Sequence, residues 1–175
     1  MSNYAFALHG GAGPVPGRDY AATEAHLRTL AEECEGRLSA GGAALDVVEM
    51  AVAELESCGL YVAGKGSAPN TAGFVELDAS IMHGPSREAG AVAAVIDVVN
   101  PIRVARGVME RTSHVMLAGS GALNFAREHG FELVDDPDDY YVLPVGVTTE
   151  DVTEQKHGTV GAVALDACGE LAGAT

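Results

Sequence analysis

The chain has 175 residues, 47% of them hydrophobic and only 5% aromatic, with 22 glycines and no tryptophan. This length and composition exclude a disordered chain and predict one domain whose core consists of small and branched aliphatic side chains. Twenty-five acidic and ten basic residues give a net charge of -15. A surface this negative repels phosphate backbones, so nucleic acid is excluded as a partner.

Cysteine usage and the N-terminal segment bear on the cellular compartment. Cys34, Cys58 and Cys168 are widely spaced and form no C-x-x-C pair, so neither a zinc site nor a disulfide framework is predicted. Reduced thiols are typical of a cytoplasmic protein. The N-terminus lacks a basic leader, and no apolar run approaches the length that spans a bilayer. We therefore expect a soluble, cytoplasmic protein without a membrane partner.

The first half of the chain reads as a strand, two helices and a long loop. The glycine-rich stretch from His9 to Pro14 follows the first strand, and Gly41-Gly42 separates the two helices. Apolar residues recur at helical spacing in both helices. The predicted elements are a strand at 4–8, a helix at 20–38, a helix beginning near 43 and a loop at 59–73.

The second half alternates strands and helices. Asn100-Pro101 predicts a helix start, with Asn as the cap and Pro in the first turn. The predicted elements are strands at 74–82, 89–98 and 114–118, helices from 100 and at 121–129, an acidic exposed loop at 135–139, and a hairpin of 159–166 with 170–175. Because its second strand is short, we expect an unpaired edge at the hairpin and a gene product that continues further.

The junction Gly158-Thr159 joins a polar segment to the apolar strand TVGAVALD. Cleavage of this peptide bond would give Thr159 a free α-amine beside its own hydroxyl. An α-amino group has a pKa of about 7.7–8.0 and can take the hydroxyl proton, which activates an otherwise weak nucleophile. On spacing alone, an ordinary strand start is the more frequent explanation of the same residues.

Seven motifs occur together in one order: HGGAG, ALDVVE, AGKGS, ELDASIM, AGAVAAV, NPIRVARGVME and GTVGAVALD. In this set and order the chain resembles the isoaspartyl peptidase and plant-type asparaginase family over nearly its whole length, from Tyr4 to Thr175. The resemblance implies a four-layer αββα sandwich of the N-terminal nucleophile hydrolase type, in which this chain supplies two outer helices and strands of both sheets. Periodicity alone predicts only a mixed α/β fold.

The resemblance also implies self-cleavage between Gly158 and Thr159. Residues 1–158 would then be the α-subunit portion and residues 159–175 the start of the β subunit. Thr159 would attack the side-chain amide of L-asparagine or the isopeptide bond of a β-aspartyl peptide, through a β-aspartyl ester and without a catalytic cofactor. The implied partners are the substrate, the β chain of the same precursor and a second αβ unit. The substrate-holding residues of the family lie beyond Thr175.

Other residues enter through the same resemblance. Gly10 and Gly11 correspond to a loop that packs near the cleavage site, although a tight turn is the simpler explanation of both. Val62 stands where the family has an asparagine that positions groups around the nucleophile, and Asn70 either replaces that asparagine or is a turn residue. Many relatives bind a structural sodium ion through backbone oxygens in the loop equivalent to Leu55–Gly66. No other metal site is expected.

Two other kinds of function stay open at this point. One is a related threonine hydrolase of different substrate, such as a glycosylasparaginase or a threonine endopeptidase. The other is a non-catalytic relative that acts as a binding subunit, for which Val62 is the argument. His9 is expected to be a satisfied polar residue rather than a base, and Glu76 with Asp78 a structural rather than a catalytic pair.

Overall fold

A computed structural model describes residues 3–11, 17–144, 147 and 159–175 of the chain. The described strands are β1 (Ala5–His9), β2 (Leu77–His83), β3 (Ala89–Val95), β4 (Met116–Ala118), β5 (Gly161–Leu165) and β6 (Leu171–Ala174). The helices are α1 (Ala21–Ser39), α2 (Ala44–Ser57), α3 (Pro101–Arg111), α4 (Gly119–Glu128) and the single turn α5 (Pro137–Tyr140), with a 3-10 turn at Gly64–Gly66.

The six described strands form one sheet in the order β1-β5-β6-β2-β3-β4. Neighbouring strands are antiparallel except β3 and β4, which are parallel. A parallel pair needs a crossover connection, and α3 supplies it. Strands β5 and β6 lie between β1 and β2, so Thr159, which precedes β5, and Thr175, which follows β6, lie at one end of two interior strands.

Helices α1, α2 and α3 cover one face of the sheet. Helix α2 packs on β5 and β6, α3 packs on β2 and β3, and α1 packs on β1 and α2. The strand residues that face α2 are alanines, and this lets the helix lie close to the sheet. The buried residues of this interface include Val47, Val48, Ala51, Val52, Ala162, Ala164, Ala172 and Ala174. Each fully buried valine contributes about 1.5–3 kcal/mol relative to an exposed one.

The opposite face of the sheet carries apolar side chains that remain exposed. Met82, Val163 and Leu171 expose 46%, 50% and 51% of their surface. Met82 and Val163 share one row across the sheet, since each lies opposite Gly173. In the described residues the architecture is thus two layers, helices on one sheet.

The predictions for the three long helices and the β5–β6 hairpin are confirmed, with bounds that differ by one or two residues. Three details were wrong. The acidic segment at 135–139 overlaps the helical turn α5, at whose start the Asp136 side chain accepts a hydrogen bond from Asp138 N at 3.1 Å. The hairpin leaves no free edge at β6, because β6 also pairs with β2. The described strands belong to one sheet rather than to two.

Buried polar residues tie the hairpin to the helical layer. Asp166 is 4% exposed and its carboxylate accepts hydrogen bonds from the backbone N–H groups of Ala44, Cys168 and Glu170. Burial alone would raise the pKa of Asp166, but these three N–H groups outweigh burial and hold the pKa below its ordinary range. The turn of the hairpin is therefore fixed to the first residue of α2. None of the described helices combines the length and apolar composition needed to cross a bilayer.

Candidate active site

Thr159 lies just before β5 and is held from the side by β1. The Nδ1 atom of His9, the last residue of β1, is 2.8 Å from the backbone oxygen of Thr159. Because a carbonyl only accepts, Nδ1 carries the proton in this contact. His9 thus positions the backbone of Thr159, as expected of a satisfied polar residue at a strand end.

The hydroxyl of Thr159 faces a second threonine on the neighbouring strand. Its Oγ1 atom lies 3.2 Å from Oγ1 of Thr175. The Thr175 hydroxyl donates to the backbone oxygen of Val160 at 2.9 Å, so its own oxygen is available to accept the Thr159 proton. The backbone of Thr175 is fixed in turn by two hydrogen bonds with Ser80, of 2.8 and 2.9 Å. Sequence reasoning missed Thr175 as a site residue.

Both threonines open into one cleft of about 410 Å³. Its walls come from the last turn of α2 and the loop after it, the segment before β2, the first two residues of β2 and the start of α3. The lining residues are Glu56, Val62, Ala63, Gly64, Ser67, Ala68, Pro69, Asn70, Glu76, Leu77, Asp78, Pro101, Thr159, Val160 and Thr175. A cleft of this size accommodates a small ligand.

The described lining of the cleft is acidic. It contains the carboxyl groups of Glu56, Glu76 and Asp78 and neither lysine nor arginine. Two of these carboxylates are engaged locally, Asp78 by Ala94 N at 2.7 Å and Glu76 by the Asn70 amide at 2.7 Å. This agrees with the structural role expected for Glu76 and Asp78. The described walls offer no cation to the carboxylate of an amino-acid substrate.

Val62 and Asn70 both line the cleft, but the Asn70 side chain is already bonded. Its Oδ1 atom accepts from Ala72 N at 2.9 Å, which is an Asx turn, and its amide nitrogen donates to Glu76. Val62 offers only apolar surface. The geometry of Asn70 is that of a turn residue at the rim of the cleft, and whether it assists cleavage stays a prediction.

The other residues implied at the cleavage site are less close to the cleft. Gly158 lies outside the described residues. Gly10 packs against Tyr61, where an added Cβ would lie 2.8 Å from Tyr61 Cε1, and Gly11 has a φ of +112°. Neither glycine is among the residues that line the cleft. Their roles in supporting cleavage stay predictions.

Glu56 is the buried carboxyl group of the site. It is 3% exposed, and burial raises its pKa to about 8, against the lowering effect of hydrogen bonds from Asn100 and from Ile102 N. Asn100 does not cap α3 with its own side chain; the Glu56 carboxylate accepts the Ile102 N–H instead, at 3.1 Å. Sequence reasoning missed Glu56 as well, although its spacing of four residues from buried Val52 was a signal.

Metal ligands are not grouped in the described part of the chain, where no cluster of three His, Cys, Asp or Glu side chains could hold an ion. The loop 55–66 presents backbone oxygens instead. A Cβ added to Gly64 would lie 2.4 Å from the Glu56 oxygen, and one added to Gly66 would lie 2.0 Å from the Tyr61 oxygen. These two carbonyl oxygens therefore pack directly against the two glycines.

The described residues thus form a mixed α/β domain in which the Thr159 hydroxyl precedes an interior strand, lies beside a second hydroxyl and opens into a small cleft. This class of site suits nucleophilic attack by threonine. A family model described as Asparaginase matches residues 2–142, which is most of the chain. The chain belongs to this asparaginase family.

Individual relatives agree with the family match. The chain is 40% identical over 197 aligned residues to the isoaspartyl peptidase of Escherichia coli K12, with 100% of this chain and 61% of the relative covered. It is 42% identical over 180 residues to the isoaspartyl peptidase/L-asparaginase of Rattus norvegicus, covering 96% and 54%. It is 44% identical over 137 residues to the plant-type L-asparaginase of Thermococcus kodakarensis, covering 75% and 43%.

The matches cover all or most of this chain but only part of each relative. The chain spans about three fifths of the length of the E. coli relative, whose alignment runs over the whole chain and so includes Thr159 and Thr175. The family model ends at residue 142, before both threonines.

Proposed function

We propose that this chain is part of a threonine amidohydrolase that cleaves β-aspartyl peptides, L-asparagine or both. The observation that carries the proposal is the Thr159 hydroxyl, 3.2 Å from the Thr175 hydroxyl in a cleft of about 410 Å³, in a chain of the asparaginase family. The names of the relatives support the substrate class, since they are isoaspartyl peptidases and asparaginases.

In the proposed mechanism, the Gly158–Thr159 bond is first cut and Thr159 gains a free amine. While the bond is intact, the Thr159 nitrogen is an amide and cannot act as a base. After cleavage the amine takes the hydroxyl proton as Oγ1 attacks the substrate's side-chain carbonyl. The C–N bond then breaks, the proton passes to the leaving ammonia or amine, and a β-aspartyl ester remains. Water hydrolyses the ester and restores the hydroxyl.

Thr175 and His9 have supporting roles in this mechanism. Thr175 orients the Thr159 hydroxyl through the 3.2 Å contact between their oxygens. His9 holds the Thr159 carbonyl through its Nδ1–H, 2.8 Å away. Both contacts fix the residue that carries nucleophile and base, which is the positioning that intramolecular catalysis requires.

The proposed whole protein consists of an α chain that ends at Gly158 and a β chain that begins at Thr159. We propose that further polypeptide forms the second sheet of a four-layer αββα sandwich on the exposed apolar face at Met82, Val163 and Leu171. The acidic described lining supports a need for additional groups, because a substrate carboxylate requires a cation or N–H donors. A pair of αβ units is the proposed assembly.

Two further features are proposed for the same protein. A sodium ion held by backbone oxygens within Leu55–Gly66 would brace one wall of the cleft; it supplies no catalytic chemistry, and none of the proposed steps needs a cofactor. A cytoplasmic location is supported by the cysteines Cys34, Cys58 and Cys168, all of which are free thiols.

Thr159→Ala tests the proposed function in protein expressed from the complete gene. We expect wild-type protein to separate into two pieces on a denaturing gel and to release ammonia from asparagine or the amino product from β-aspartyl-leucine. The variant should stay uncut and release neither product, because it lacks the hydroxyl. Cleavage or turnover by the variant would mean that Thr159 is not the nucleophile.

The alternatives give different results in the same experiment. A threonine hydrolase of another substrate would still split into two pieces but would not act on asparagine or β-aspartyl-leucine. A non-catalytic relative, for which the apolar Val62 in the cleft wall is the argument, would stay whole and inactive as wild type.

A further inference from the structure

Glu56 contacts two segments that both line the Thr159 cleft. Its Oε1 atom accepts the Ile102 N–H at 3.1 Å, at the start of α3. Its Oε2 atom accepts from the Asn100 amide at 3.1 Å, just before α3. Pro101, between these two partners, lines the cleft. The carboxylate therefore fixes the wall of the cleft that α3 provides.

The backbone of the same residue packs against a second segment of the cleft wall. Gly64 has a φ of +50°, and a Cβ built on it would lie 2.4 Å from the Glu56 carbonyl oxygen. The loop that contains Val62, Ala63 and Gly64 thus closes directly onto the last turn of α2, and all three of these residues line the cleft. Gly64 is already in close contact with the Glu56 carbonyl oxygen and cannot move toward it. The position of the loop therefore depends on the position of the Glu56 backbone.

The orientation of the Asn100 amide is fixed by its neighbours in α2. The Asn100 amide nitrogen also contacts Ala53 O at 3.1 Å and Ser57 Oγ at 3.0 Å. Ser57 Oγ in turn donates to Ala53 O at 2.8 Å, so both of these oxygens act as acceptors toward Asn100. The amide nitrogen therefore cannot exchange places with the amide oxygen. The two N–H bonds of Asn100 are thus shared among Ala53 O, Ser57 Oγ and Glu56 Oε2, whereas the Ile102 N–H is accepted by Glu56 Oε1.

We propose that Glu56 is a positioning residue that sets the width of the cleft around Thr159, by holding the start of α3 with its carboxylate and the Val62–Gly64 loop with its backbone. It acts through these walls rather than on the substrate, since both of its carboxylate oxygens are occupied by protein N–H groups. Burial of the carboxyl is sustained by those two donors and by the N-terminal end of α3. The catalytic consequence rests on the proposed function.

Glu56→Gln is the sharpest variant, because it keeps the size of the side chain and removes one acceptor. If the glutamine oxygen accepts from Ile102, its NH₂ group faces the Asn100 NH₂ group, and two donors repel each other. Glu56→Asp keeps the charge with a shorter reach and should rescue part of the effect. Glu54→Gln is the matched control, since Glu54 is exposed on the same helix.

Hydrogen exchange followed by mass spectrometry reads the two walls directly in the protein from the complete gene. We expect Glu56→Gln to speed exchange about tenfold or more in segments 60–68 and 101–105, with no change in the β2–β3 hairpin. Glu54→Gln should leave all three unchanged. In steady-state assays kcat should fall about tenfold or more while KM changes less than about threefold, because the reacting groups are misplaced without loss of a substrate contact.

Either of two results would overturn this role. Unchanged exchange in both wall segments of Glu56→Gln would show that the carboxylate does not hold the walls. Equal loss of protection in all segments would assign Glu56 to the stability of the whole fold; if Glu56→Gln does not fold, Glu56→Asp gives the same comparison. Wild-type protein without turnover would refute the proposed function, whereas the exchange data would still decide the role of Glu56.

Discussion

At the residue scale, the site depends on the register of one hairpin. Ala162 lies opposite Ala174, so Gly161 is level with Thr175 and Thr159 lies two residues beyond on the same face. Diagonal neighbours on adjacent strands are within reach of each other's side chains. The two hydroxyl oxygens therefore approach to 3.2 Å as a direct result of the register.

Thr175→Val should lower kcat by roughly 10- to 100-fold, because it removes the hydroxyl that orients Thr159 and keeps the shape of the side chain. KM should change little. Thr29→Val on the exposed side of α1 is the matched control and should leave both constants unchanged. Steady-state kinetics on β-aspartyl-leucine measure the difference, and a wild-type kcat in Thr175→Val would remove Thr175 from the site.

The same register explains what sequence reasoning found and missed in the site. Thr159 was identifiable from the sequence because the GTVG motif, which carries the family resemblance, consists of consecutive residues. Thr175 belongs to the next strand and becomes a neighbour only when the hairpin pairs. Glu56 was missed because a carboxylate in the last turn of a helix is usually solvent-exposed; its contact with α3 joins positions 46 residues apart in the chain.

At the element scale, glycine is required where two segments touch backbone to backbone. Gly64→Ala should destabilise the protein by about 1–3 kcal/mol, because its φ is +50° and an added Cβ would lie 2.4 Å from Glu56 O. Gly36→Ala in α1 is the opposite control: nothing lies within 4 Å of an added Cβ, and alanine in a helix should stabilise by about 0.5–1 kcal/mol. The urea unfolding midpoint should fall in Gly64→Ala and rise in Gly36→Ala. Equal shifts in the two variants would contradict the requirement for glycine at position 64.

Asp166 links the hairpin turn to α2, and its contribution should depend on pH. The pKa of Asp166 is lowered in the folded protein, so its stabilising effect is present above the ordinary aspartate pKa and is lost as the pH falls through the folded value. Asp166→Ala should cost about 1.5–3 kcal/mol at neutral pH, for hydrogen bonds to a charged group. The free energy of unfolding of wild type and variant should converge in acid, and a pH-independent difference would contradict this role.

Some secondary-structure elements were predictable from local sequence patterns and others were not. The long helices were predictable because their apolar residues repeat at helical spacing. The turn α5 was not, since four residues with a capping aspartate resemble any acidic loop. The partner strands of β6 were also not predictable, because hydrogen bonding between β6 and β2 joins segments about 90 residues apart.

At the scale of the whole molecule, the net charge of -15 acts on every element. Added salt screens the repulsion among the acidic groups, so raising the salt concentration from low to moderate should raise the melting temperature by a few degrees, roughly 2–5 °C. Sodium and potassium chloride at equal ionic strength distinguish screening from a sodium site in the loop 55–66. Equal melting temperatures in the two salts would mean that screening accounts for the whole salt effect, and would contradict the sodium proposal.

The sequence by itself determined the composition of the core, the long helices, the β5–β6 hairpin and the position of Thr159, because each depends on residues that are close together in the chain. Tertiary structure decided that β6 lies between β5 and β2, that Thr175 meets Thr159, and that Glu56 joins α2 to α3. These contacts bring together residues that are distant in sequence. They follow from strand pairing and from the burial of polar groups that need partners, and neither leaves a local pattern.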